Sequence, residues 1–180
     1  REIEEMIKRN EKLLEDDKRK VKRIIEKLDK VLEDDRKRAE DLIRKLEKVA
    51  EEIARLRDKV EERDVARKIK ELKDEVEKLV RESKKLNEEL REEVRRMKEE
   101  SKELIKESHK EVRDVERKLK VEELLDTLRK VNERVARESE KTIRELEKVL
   151  ERVNRESKKT IEEVEKALKE VADRVTEVRR

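Results

Sequence analysis

The sequence predicts an all-α fold: a long, straight, antiparallel three-helix bundle, running up-down-up with essentially no supercoil. Three observations predict it. The 180 residues contain no Gly and no Pro, where average usage would supply roughly 20 of the two together. The apolar positions fall into a stripe whose pattern returns every 18 residues. That stripe changes face twice along the chain, which divides it into three helices.

The repeat is read directly from paired segments. Leu13-Leu14-Glu15-Asp16-Asp17-Lys18 returns as Val31-Leu32-Glu33-Asp34-Asp35-Arg36, and Val49-Ala50-Glu51-Glu52-Ile53 keeps the phase with Ile in place of Asp. Glu82-Ser83-Lys84 returns as Glu100-Ser101-Lys102. Eighteen residues make five turns at about 3.6 residues per turn, so a stripe with this repeat runs straight along an ideal helix. A heptad would drift into a left-handed supercoil and an eleven-residue repeat into a right-handed one.

Taken in order at 100° per residue, the stripe keeps one direction from Ile3 to Val60, which predicts a first helix over about 1–57. From Val65 to Leu119 it points roughly 110° away, giving a second helix over about 61–119. From Val121 to Val178 it has turned by close to half a revolution again, giving a third over about 121–178. Each helix would be on the order of 85 Å long. Strands are excluded because strict alternation occurs nowhere and Glu, Lys, Arg and Leu favour helix. The chain reads as a single domain over 1–180.

In an antiparallel hairpin, residues that share a layer have numbers adding to a constant. Constants of 118 for the first pair of helices and 240 for the second bring like with like, as in Ile3/Val115/Leu125, Met6/Val112/Leu128, Leu42/Val76/Val164, Leu46/Leu72/Leu168 and Ile53/Val65/Val175. The polar exceptions discriminate more sharply. The same constants set Asp17 against Ser101 and Ser139, Asp35 against Ser83 and Ser157, and Asn10 against Ser108 and Asn132. Most of these lie near the centre of a stripe, where an apolar residue is the default, while Asn132 lies to one side. A slip by one repeat in either direction would place an Asp against an apolar residue.

Two readings of these layers follow. Carboxylate and hydroxyl oxygens are hard ligands, so a cation site or a relay is one; the Asp17 and Asp35 layers supply a single carboxylate each and the Asn10 layer none, which argues against it. The other is a hydrogen-bonded layer that penalises slipped or misordered helices, as a lone core Asn does in a coiled coil. Thr142 and Thr160, three residues beyond Ser139 and Ser157, are placed to extend the layers. Desolvation should raise the pKa values of Asp17 and Asp35 unless Lys or Arg reaches in.

Composition removes most functional classes. Without Gly there is no phosphate-cradling loop, dinucleotide fingerprint or nucleophile elbow. With no Cys and one His, His109, no Cys/His metal set can be assembled. His109 falls about 80° off its stripe and reads as a solvated flank residue, Met6 and Met97 as core filler, and Asp16 and Asp34 as surface charges. The 56 basic and 53 acidic residues interleave to a net +3, which offers no basic footprint for nucleic acid. No run of about 18 apolar residues crosses a bilayer, and no apolar h-region opens the sequence. Without aromatics, a ligand pocket has little to build with. The expectation is therefore no catalytic residue, no cofactor, no metal and no small-molecule ligand. Glu and Lys spacings at i, i+4, such as Glu11 and Glu15 among Lys8 and Lys12, are read as support for the exposed faces.

The connections fit less easily. The first falls between about Leu56 and Asp64, with Asp58 or Asp64 able to cap the second helix. At the second, Leu119 and Val121 would share a layer across two peptide steps, which span at most about 7 Å against the 8 to 10 Å between packed helices. Lys118-Leu119-Lys120-Val121-Glu122 holds no turn residue. Loop residues missing from the numbering, a shifted register at that end, or helices belonging to longer rods would each account for it.

With its 18-residue repeat, three equal helices and Glu/Lys/Arg-saturated surface, carried by segments such as Leu13-Leu14-Glu15-Asp16-Asp17 and Arg137-Glu138-Ser139-Glu140-Lys141-Thr142-Ile143, the whole chain resembles the computationally designed, parametrically generated three-helix bundles with untwisted helices. The resemblance implies a monomeric, very stable scaffold with no natural substrate, cofactor or cellular address. The Asp/Ser layers and the missing turn residues depart from that pattern. A self-associating coiled-coil spacer and an amphipathic lipid-surface protein are the alternatives; polar residues at the centre of the apolar face count against the second.

Overall fold

The computed structural model describes residues 2–55, 62–118 and 122–179, with side chains described over 2–55, 63–118 and 122–174. These residues form three α-helices: α1 (Glu2–Arg55), α2 (Glu62–Lys118) and α3 (Glu122–Arg179). No strand occurs among them. Glu2, Glu4 and Glu5 open α1, Glu122 and Glu123 open α3, and Arg117 and Lys118 close α2. These charges oppose the partial charges of the helix ends. Asp64 lies inside the first turn of α2, where Arg67 bonds its carboxylate at 3.4 Å. It is therefore not the cap that the sequence suggested. Asp58 and the segment 119–121, with its tight connection, lie outside the described residues.

The three helices pack against one another in two compact units, Arg1–Leu28 with Leu90–Glu151, and Asp29–Glu89 with Arg152–Arg180. In the first unit, Ile3 and Met6 of α1 cluster with Val112 and Val115 of α2 and Leu125 and Leu128 of α3. The start of α1 thus meets the end of α2 and the start of α3, an antiparallel up-down-up order. In the second unit, Leu42, Leu46, Val49 and Ile53 cluster with Val65, Leu72, Val76, Val164 and Val171. Leu168 is half-buried against this cluster. The side chain of Val175 falls outside the described residues.

Charged side chains bridge the helices at the margins of these clusters. In the first unit Lys18 meets Glu138 at 3.1 Å and Arg134 meets Glu11 at 3.2 Å. In the second, Arg36 meets Glu156 at 2.8 Å and Arg152 meets Asp29 at 3.2 Å, each partner 18 positions further along. Glu11 thus spends its charge across to α3 and not on a lysine of its own helix. Pairs of the expected i, i+4 kind occur elsewhere, as in Lys37 with Glu33 and Lys130 with Asp126. All of these ions are solvated, so each pair stabilises by at most about 1 kcal/mol and acts mainly on helix alignment.

Candidate functional site

Among the described residues, the buried polar side chains of the core are Asn10, Asp17, Asp35, Ser83, Ser101, Asn132, Ser139 and Ser157. Ser108 is half-buried. Each lies on the inward-facing side of its helix, among aliphatic layers that shield it from water.

In the second unit Ser83 Oγ donates to Asp35 Oδ2 at 3.1 Å and lies 3.0 Å from Ser157 Oγ. An ionised carboxylate only accepts, so Ser83 spends its single proton on Asp35 and the proton between the serines belongs to Ser157. Asn87 Nδ2 in turn donates to Ser157 at 3.4 Å. Every proton in the chain Asn87, Ser157, Ser83 therefore points toward Asp35.

The first unit uses the same residue types with a different routing. Ser139 Oγ, on α3, donates to Asp17 Oδ2 at 3.3 Å, and Ser101 lies 2.7 Å from Ser139. By the same argument Ser101 donates to Ser139. The third layer has no charge: Asn132 Nδ2 donates to Ser108 Oγ, and Ser108 donates to Asn10 Oδ1 at 2.9 Å.

Asp17, Ser101 and Ser139 are thus brought together, as are Asp35, Ser83 and Ser157, and Asn10, Ser108 and Asn132. Thr142 and Thr160 do not extend the layers: their hydroxyls donate to the carbonyls of Glu138 and Glu156 one turn back, at 2.7 and 2.9 Å. A threonine inside a helix has that carbonyl within reach, which competes with any tertiary partner. Asn87 is the participant that the sequence reading missed. Its signal was a second polar residue four positions after Ser83, on the same face of α2. His109 and Asp16 are half-buried and Asp34 is exposed. Met6 and Met97 are core residues.

Burial pushes the carboxyl groups of Asp17 and Asp35 above their ordinary value of 3.8. The hydrogen bonds from Ser139 and Ser83 oppose the rise, as do the charges of Lys20 near Asp17 and Arg38 near Asp35. Both groups hold a proton more tightly folded than unfolded. Their contribution to stability is fully present below 3.8 and is lost as pH rises through the folded-state pKa values. The variant Asp17→Asn/Asp35→Asn removes this loss. Compared with the parent in denaturant titrations from about pH 3 to 8, its relative stability should grow with pH and then level off. Parallel curves for the two proteins would refute the assignment.

Chemically, the two Asp layers offer hydroxyls directed at a carboxylate, and the third an amide and hydroxyl chain without a charge. No group of three or more His, Cys, Asp or Glu side chains suited to a metal occurs among the described residues. No helix among them is long and apolar enough to cross a membrane.

No protein-family model matches the chain, and no curated protein matches it. A search of solved structures finds a chain described as a computationally designed three helix bundle, with a TM-score of 0.59 over 98% of this chain and 90% of that one. The present chain shares that fold. Sequence identity is 22%, so the likeness is one of architecture and carries no residue-level role.

Proposed function

We propose that this protein is a structural scaffold of the designed kind, whose buried polar groups select one helix register and order and perform no reaction. The observation that carries the reading is the Asp35, Ser83 and Ser157 layer. Three polar side chains, one from each helix, are buried there and direct their hydrogen bonds at one another. A slipped helix would put the carboxylate or a hydroxyl against aliphatic side chains, at about 1 to 3 kcal/mol for each unsatisfied group. The likeness to a designed bundle supports the same reading.

A scaffold of this kind works as a single chain. Size-exclusion chromatography with in-line light scattering is expected to give a particle of one chain mass, 22.0 kDa, across a hundredfold range of concentration. Two or three chain masses would favour the self-associating coiled-coil spacer, with the polar layers pinning register between chains. Co-flotation with anionic vesicles would favour a lipid-surface protein; recovery in the vesicle-free fraction is expected.

A further inference from the structure

The uncharged layer of the first unit leaves one polar atom over. Asn132 Nδ2 donates to Ser108, so the proton of Ser108 is free for Asn10, whose amide must present its oxygen to receive it. The other end of that amide, Asn10 Nδ2, is buried and has no protein acceptor. Beside it lies a cavity of about 20 Å³. Asn10, Asp17, Ser108, Asn132 and Ser139 contribute to its lining, among aliphatic neighbours that include Ile105.

We propose that this cavity is a binding site for one structural water, which accepts a hydrogen bond from Asn10 Nδ2 and donates to oxygens of the lining, foremost those of Asp17 and Ser139. A bound water needs about 10 to 15 Å³ and two to four polar partners. The cavity has room for one such molecule, and its lining supplies both an unspent donor and several acceptors. A metal cation fits the same lining poorly, because the N–H of Asn10 repels it and six or more oxygens are not at hand. Water is donor and acceptor at once. The second unit shows the arrangement that the water replaces: there Ser157 receives a hydrogen bond from Asn87 Nδ2, and 18 positions further along the sequence has Ile105, which brings no polar atom.

Oxygen-17 magnetic relaxation dispersion on the full chain tests this. The parent protein is expected to show a water held for longer than the molecular tumbling time. Asn10→Leu removes the donor, and Ala136→Leu fills the cavity from α3 with Asn10 left in place. Each variant that keeps its helical circular dichroism should lose one water equivalent of dispersion amplitude. Absence of a long-lived water in the parent, or an unchanged amplitude in either folded variant, overturns the proposal. The two variants approach the site from different helices, so misfolding of one leaves the other to decide.

Discussion

Leu46→Ala is expected to lower the free energy of unfolding by about 3 to 5 kcal/mol. Leu46 has no exposed surface and sits in the cluster with Leu42, Leu72, Val76 and Val164. Its truncation loses the transfer free energy of three carbons and leaves a cavity that three helices, each tied into neighbouring layers, close only in part. The check is a guanidinium titration at unchanged slope, since a change in slope would report a different unfolded or native state. Leu86→Ala, at a side chain 38% exposed, serves as the comparison and should cost about 1 kcal/mol or less. Equal losses at the two positions would mean that the cluster around Leu46 does not form the core.

Ser83→Ala should cost about 1 to 3 kcal/mol at pH 7, for a different reason. The hydroxyl is donor to Asp35 and acceptor from Ser157, so its removal strands two buried groups in one step. Adding Asp35→Leu and Ser157→Ala to this variant leaves nothing unsatisfied and should restore most of the stability, because apolar replacement of a whole polar layer is often neutral or favourable. Register selectivity is what the triple variant should lose. Engineered cysteine pairs on α1 and α2, placed to meet only after a slip of one repeat, should then form disulfides that the parent does not form. If the triple variant is less stable than Ser83→Ala alone, the layer contributes stability rather than selectivity.

Much of this was legible in the chain before folding. Helix was dictated by a sequence with no Gly, no Pro and a charged majority, since the two residues least compatible with helical backbone are absent and Glu, Lys, Arg and Leu favour it. The partners of Asp17, Asp35 and Asn10 were legible because antiparallel pairing constrains residue numbers so tightly that three polar layers fall on the same two constants. Asn87 was missed because its neighbours in register are apolar. It reaches Ser157 by leaning along the helix, a direction that a layer diagram does not include. The ion pair between Glu11 and Arg134 was missed for a related reason: several cations lie within reach of each acidic side chain, and the sequence does not rank them.

By itself, then, the sequence determined that the chain is helical, which face of each helix turns inward and which Ser and Asn side chains meet Asp17, Asp35 and Asn10. Tertiary structure alone decided how those residues divide their hydrogen bonds. In one unit the serine of α2 takes the carboxylate, in the other the serine of α3, although the residue types are the same. A serine side chain is short and its proton rotates freely. Either serine of a layer can therefore serve the carboxylate, and the side-chain distances in the folded core choose which one does.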